Sequence, residues 1–396
     1  MIGLVMTAGG ARGAYQAGVL RRIAEVPAFR NGPSPFAIVT GASAGAINGA
    51  MVASGSLDFA SATRSLASVW SRLHMQEVVR VDPVSLGRGG LGLARDLAVG
   101  SLIGHTVSRG LLDASPLYEL LARVIPLAGI PDAIRGGTLY AVAITATSYH
   151  SGRSYTFVQG RSGHPVWQKS RRIVLPVDLM PEHVCASAAI PLVFPPVRVN
   201  CLGSDIWFGD GALRLVTPLS PAIRLGASRL LAIGVRSSRA AASLSRAESD
   251  GASLVSPPLA QVCGVFLNAI FLDHLDTDLD HLHRMNELID AYGGSATVPP
   301  VMSEPIRRVT SLAISPSEDL ALIARRFAHR MPRVLRWLME GLGTPDAESA
   351  DLMSYLLFDG GFTQALLEVG YRDADARIDE IEAFLRDDAA AARQAG

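Results

Sequence analysis

The chain has 396 residues, 49% of them hydrophobic, and its 36 Lys and Arg side chains are balanced by 36 Asp and Glu. That length supports one large domain with additions or two to three small ones, and the composition excludes a disordered chain. Zero net charge leaves no basic footprint, so nucleic acid is not expected as a partner.

Ile2 to Met6 is a short apolar run closed by Ala8-Gly9-Gly10-Ala11-Arg12-Gly13, after which Ala14 to Glu25 has helical spacing. Met1 to Thr7 have no basic stretch and read as a first buried strand, not as a secretion signal. Phe36 to Val39 repeats the pattern: an apolar strand, a glycine at 41, and a small-residue helix from Ala44 to Ser54. Strands alternating with helices predict a mostly parallel sheet covered on both faces, with ligands at the carboxyl ends of the strands.

Further along, residues 85–109 are glycine-rich and apolar, which suits a surface excursion better than a firm helix. Thr138 to Thr147 and Ser154 to Val158 read as strands joined through His150-Ser151-Gly152. Ile206 and Phe208 alternate towards Asp210 at a strand end, and Leu230 to Val235 is a further core strand. Residues 237–256 are small and polar, a linker or loop. Leu259 to Ile289 predicts one long helix or two, Val309 to Ile314 a returning strand. Ser315-Pro316-Ser317-Glu318 has the pattern of a capping box opening a helix from Pro316 to about Arg330. The remainder is helical. The expected organisation is 1–236 as a catalytic domain, 237–256 as linker, 257–314 as a helical insertion with a returning strand, and 315–396 as a C-terminal helical region.

Three cysteines, Cys185, Cys201 and Cys263, have no paired metal spacing and predict a reducing compartment, with a cytoplasmic location expected. No run approaches the roughly 18 apolar residues of a spanning helix, while a mean hydropathy of +0.27 leaves contact with a membrane surface open.

Gly41-Ala42-Ser43-Ala44-Gly45, between a strand and a helix, matches the G-x-S-x-G nucleophile elbow. Such a turn strains the serine backbone, tolerates only small neighbours, and presents the hydroxyl at a helix N-terminus. Ser43 is the candidate nucleophile, with Gly41 and Gly45 shaping the turn; a passive N-cap serine is the plainer alternative. An attacking alkoxide creates an oxyanion, which needs preset N–H donors. The turn Gly9, Gly10, Ala11, Arg12 and Gly13 is the candidate donor set: its glycines admit close approach, and Arg12 and the following helix favour negative charge. A phosphate cradle is the rival reading. It lacks both G-x-G-x-x-G spacing and a Gly-Lys-Ser/Thr ending.

Together these motifs resemble the patatin-like phospholipase family, which has a Gly-Gly-x-Arg-Gly turn, a G-x-S-x-G elbow and an Asp-Gly-Gly or Asp-Gly-Ala acid motif. Asp210-Gly211-Ala212 is similar to the third, and Pro218-Leu219, the Gly110-Leu111-Leu112-Asp113 stretch, and Ala188-Ile190-Pro191 with Phe194-Pro195-Pro196 also look like that family. The likeness is strong from Met1 to about Val235 and looser from Leu259 to Ala374; the chain departs from it in having Ala8 ahead of Gly9. The resemblance implies a three-layer α/β/α fold with a mostly parallel sheet and a C-terminal helical extension. It also implies a serine acyl hydrolase acting on lipid carboxylic esters through a Ser43–Asp210 dyad, with Gly211 and Ala212 in the acid motif. Lipid or ester substrates are the expected partners; no cofactor or metal is implied.

A second motif, Asp359-Gly360-Gly361, matches the family's letters better, but it lies in a stretch of helical spacing and reads as a helix break or cap. A conventional Ser-Asp-His esterase would draw on His274, His281, His283 or His329, which follow the acid in chain order. His274, Asp278 and His281 share one helical face, a metal-like spacing whose commoner origin is a solvated, acidic face. A non-catalytic lipid-binding protein of the same fold is the remaining alternative. Leu192, Val193 and Phe194 are candidate walls of an acyl pocket.

Overall fold

The structure, a computed structural model, describes residues 1–80, 110, 112–201, 203–237, 262, 265–266, 268–270, 274–292, 307–332, 336 and 350–394. The stretches expected as a glycine-rich excursion (85–109) and as a linker (237–256) lie outside them but for Ser237. β1 (Ile2–Met6) leads through a 3₁₀ turn at Gly10–Arg12 into α1 (Gly13–Ala24). β2 (Ile38–Ala42) passes straight into α2 (Ala44–Ser54). α3 (Phe59–Arg72) begins where the Asp58 carboxylate accepts the Ser61 amide at 3.0 Å, taking up one of the N–H groups a helix start leaves unpaired.

α4 (Ser115–Val124) precedes the hairpin of β3 (Ala141–Ser148) and β4 (Ser154–Gly160), whose connection bends at Gly152, φ 62°. Then come β5 (Gln168–Lys169), β6 (Arg172–Pro176), α5 (Pro181–Ser187), β7 (Val197–Cys201), β8 (Ser204–Gly209) and β9 (Arg229–Ile233). α6 (His274–Tyr292), β10 (Thr310–Ile314), α7 (Leu320–Arg326), α8 (Ala350–Leu356), α9 (Gly360–Asp375) and α10 (Ile378–Gln394) follow, with short helices at Met75–Val78 and Gly129–Arg135 earlier in the chain.

The sheet runs β10-β9-β1-β2-β3-β4-β6-β5. Its left half, from β10 to β3, is parallel throughout. Along β1 the side chains alternate between two cores: Leu4 and Met6 join Tyr15, Leu20 and Leu366 on one side, while Val5 joins Leu219, Leu275 and Leu279 on the other. That period of two, apolar on both faces, is what a parallel strand between helical layers requires. The α/β/α sandwich follows, with α1, α2, α3 and α9 on one face and α6 with the short helix Ser220–Arg224 on the other.

β7 was not legible in the sequence, nor were β5 and β6: all are short, and β5 and the outward positions of β7 are polar and exposed. The helix expected from Pro316 begins instead at Leu320, capped by Asp319, whose carboxylate accepts the Ala321 amide at 2.9 Å. The reason is tertiary: Arg372 of α9 donates to the Glu318 carboxylate at 2.6 Å, so the N3 side chain of the expected box is engaged elsewhere, and Asp373 takes the Ser317 amide at 2.9 Å.

Candidate active site

Three turns meet at the carboxyl ends of the central strands. The Gly9-Gly10 turn follows β1 and the serine elbow follows β2. β8 runs antiparallel against the end of β3, Gly209 opposite Thr147, and so delivers Asp210 beside them.

At the elbow Ser43 has φ 55° and ψ −125°, one of two non-glycine residues with positive φ among those described. A backbone there costs on the order of 1–3 kcal/mol and persists only where the surroundings enforce it. They do so by crowding: a Cβ at Gly41 would collide with the Gly45 carbonyl, and one at Gly45 with the Met6 carbonyl of β1. A residue the sequence did not single out completes the grip. Ser187, fully buried at the end of α5, accepts the Ser43 amide at 3.0 Å and donates its hydroxyl to the Thr145 carbonyl of β3 at 2.6 Å.

Asp210 has no exposed surface. Its amide donates to the Ala189 carbonyl at 2.9 Å, and its own carbonyl accepts the Thr147 hydroxyl at 2.8 Å. Carboxylate oxygen Oδ1 accepts the Ala212 amide at 2.9 Å, while Oδ2 meets no hydrogen-bond partner among the described residues. Burial pushes the carboxyl up to about 7, against the opposing pull of the Ser43 hydroxyl and the Ala212 amide. The Ser43 hydroxyl is thus one of the two groups that favour the charged form of the Asp210 carboxyl. On the solvent side stands Tyr149, whose phenol is pushed up to about 12 by burial and then by the Asp210 charge.

The first hydrogen bond of the glycine turn runs from the Arg12 amide to the Gly9 carbonyl at 3.0 Å. The amides of Gly10 and Ala11 precede it and are the donors such a turn offers to an outside acceptor. Gly10 has φ 54°, and a Cβ there would strike the Tyr355 carbonyl of α8, so no other residue fits. Arg12 is used differently from expectation. Its guanidinium is buried and committed to α8, donating to Ser354 Oγ at 2.7 Å and Asp351 Oδ1 at 2.8 Å and lying 4.4 Å from the centre of the Tyr355 ring. Gly13 lies under Ala44 of the elbow helix.

A buried polar chain fixes turn against elbow. Trp70 Nε1 donates to Asn48 Oδ1 at 2.8 Å, Asn48 Nδ2 donates to the Gly13 carbonyl and Gln16 Oε1, both at 2.9 Å, and Gln16 Nε2 reaches the Thr7 carbonyl at 2.9 Å. Ser43 and Gly10 open onto an apolar cleft of about 600 Å³ walled by Met51, Leu66, Leu121 and Phe194 among others. Of the three walls expected from the sequence, Phe194 is one. Leu192, φ 67°, is turned outward with 75% of its surface exposed, because the chain reverses there.

Asp359 is the N-cap of α9, accepting the Gly361 amide at 3.0 Å and Phe362 at 3.3 Å. Asp278 accepts the Leu219 amide at 2.8 Å, where it helps seat the short helix on α6. Among the described residues no histidine hydrogen-bonds to the Asp210 carboxylate.

Fold and site thus define an α/β protein with a strained serine, a buried aspartate and a glycine turn at the carboxyl ends of its central strands. The family profile described as patatin-like phospholipase matches residues 4–223, more than half of the chain, and the chain belongs to that family. Among curated proteins no sequence matches it. Of solved structures it is similar to VipD from Legionella pneumophila, at 14% identity and a TM-score of 0.30, over 92% of this chain and 66% of that one. It is also similar to the type III effector protein ExoU, at 16% identity and a TM-score of 0.27, over 61% of this chain and 44% of that one. The chain spans less than two thirds of either.

Proposed function

We propose that the protein is a serine acyl hydrolase that cleaves carboxylic esters of lipids. The observation that carries this reading is the strained Ser43, which lines an apolar cleft and whose hydroxyl acts on the buried carboxyl of Asp210. Family membership supports the lipid substrate class.

In the mechanism this supports, the ester's acyl chain lies in the cleft and its carbonyl carbon faces Ser43 Oγ. Asp210 takes the hydroxyl proton as Oγ attacks, and the carbonyl oxygen becomes an oxyanion that accepts the Gly10 and Ala11 N–H groups. Protonated Asp210 returns the proton to the departing alkoxide, leaving an acyl-enzyme on Ser43. Water then attacks that ester with Asp210 again as base, releasing the fatty acid and restoring the serine. A carboxyl held near 7 suits both directions of transfer at neutral pH, whereas one at its ordinary value would be a poor base. Among the described residues no histidine hydrogen-bonds to the Asp210 carboxylate, which supports the dyad over a His-containing triad.

Hydrolysis of a mixed panel of phospholipids and simple esters by the wild type, Ser43→Ala and Asp210→Asn tests the reading. Loss of activity in both variants is expected. Full activity in either refutes the dyad, and a folded wild type that hydrolyses nothing and takes no fluorophosphonate on Ser43 leaves a lipid-binding protein.

A further inference from the structure

We propose that the surface groove between α1, α3 and α9 is a binding site for an anion bearing two or more phosphoryl groups. The groove is an open channel of about 1270 Å³ lined by four arginines, Arg21 from α1, Arg64 and Arg72 from α3, and Arg372 from α9, against two glutamates, Glu25 and Glu368. It is cationic on a chain whose overall charge is zero.

The arrangement on α3 is regular. Arg64, Ser68, Ser71 and Arg72 follow at i, i+4, i+7 and i+8, one face of the helix, and all four line the groove. At 1.5 Å per residue the two arginines are set roughly 12 Å apart along the axis, with serine hydroxyls between them. Both are exposed, and neither has an acidic partner among the described residues.

The other two guanidiniums make exposed ion pairs, Arg21 with Glu25 at 3.5 Å and Arg372 with Glu318 at 2.6 Å, and Arg21 also lies 5.6 Å from the centre of the Tyr371 ring. Pairs this exposed contribute little and yield to a better acceptor. Glu25 is further engaged by the Tyr371 hydroxyl at 2.6 Å, which holds its charge to one wall. Guanidinium groups take phosphate oxygens in a two-point fork. Two such forks about 12 Å apart, flanked by two more, match separated phosphoryl groups better than a single inorganic phosphate.

The inference does not rest on the hydrolase reading. The opposite face of α3, with Leu66 and Trp70, belongs to the cleft beside Ser43, so one helix separates groove from cleft. The ligand's phosphoryl groups have two possible sources, a soluble polyphosphate or a lipid head group, and two arms tell them apart. In the first, the full chain is titrated calorimetrically with pyrophosphate and with inositol hexakisphosphate. In the second, it is sedimented with phosphatidylcholine vesicles prepared with and without cardiolipin. The variants are R64E/R72E, R64K/R72K and, as a control away from the groove, R161E; thermal midpoints verify that each is folded.

Binding in either arm is expected to weaken at least about tenfold in R64E/R72E, to fall between in R64K/R72K, which keeps the charge and loses the fork, and to be unchanged in R161E. Binding in the first arm alone identifies a soluble anion, and in the second alone a head group. No binding by the wild type in either arm overturns the proposal, as does an equal loss in R161E.

Discussion

The proposed chemistry turns on a single carboxyl. Asp210 titrates at about 7 in the folded chain against 3.8 ordinarily, so the folded state holds that proton more tightly than the unfolded one. Stability therefore falls as pH rises between those two values and the loss is complete above pH 7. At about 1.4 kcal/mol per pKa unit, the buried carboxylate costs a few kcal/mol at alkaline pH. Asp210→Asn removes that charge. It is expected to lower ester hydrolysis by a factor on the order of 10²–10⁴ while leaving the chain at least as stable as wild type at pH 8, read from denaturant midpoints at pH 5 and pH 8. Loss of activity together with loss of stability at pH 8 would mark Asp210 as structural. Ser187 makes a second residue-scale test. Ser187→Ala leaves the Ser43 amide and the Thr145 carbonyl without their buried partner, at about 1–3 kcal/mol. A lowered thermal midpoint and a kcat reduced with little change in KM are expected.

At the scale of elements, the elbow and glycine turn were legible because their chemistry demands small residues at fixed spacing, and the turn's packing shows why: Gly41, Gly45 and Gly10 have no room for a Cβ. Asp210 as the proposed base rests on likeness, since a lone Asp-Gly-Ala says nothing of which strand end it reaches. What local pattern could not show was contact between distant segments. Ser187 looks like any small helix residue until β3 and the elbow close around it. Arg12 reads as a charge beside an anion site; only the fold reveals Asp351 and Ser354, more than 300 residues on, as its partners. Those contacts seat α8 on the glycine turn. Arg12→Lys keeps the charge but loses the two-point contact and the stacking on Tyr355. Faster hydrogen exchange is expected in residues 350–358 and in the turn, with exchange in β4 and β6 unchanged; uniform acceleration would indicate general destabilisation.

At the scale of the molecule, the C-terminal helices return to the first one. Tyr15 donates to Asp373 at 3.0 Å and Arg22 to Asp375 at 2.6 Å, fastening α9 to α1. Alternating strands and helices predicted the layered sheet well, because a strand apolar on both faces has few other homes. The short outer strands and the start of α7 escaped, as their positions are set by partners remote in sequence. No described helix is long and apolar enough to cross a membrane. The apolar cleft and the cationic groove lie on opposite faces of α3, and wild-type activity should rise with pH through about 7 as Asp210 loses its proton. A rate independent of pH between 5 and 9 would separate the chemistry from that carboxyl.

The most direct measurement is the rate at which a fluorophosphonate modifies Ser43, followed by intact mass and peptide mapping in wild type and Asp210→Asn across the same pH range. A single adduct on Ser43, forming faster as pH passes about 7 and slowed on the order of 10²-fold or more by the Asp210 substitution, is the expected result. Labelling at another residue, or on Ser43 at an unchanged rate in Asp210→Asn, would contradict the Ser43–Asp210 pairing.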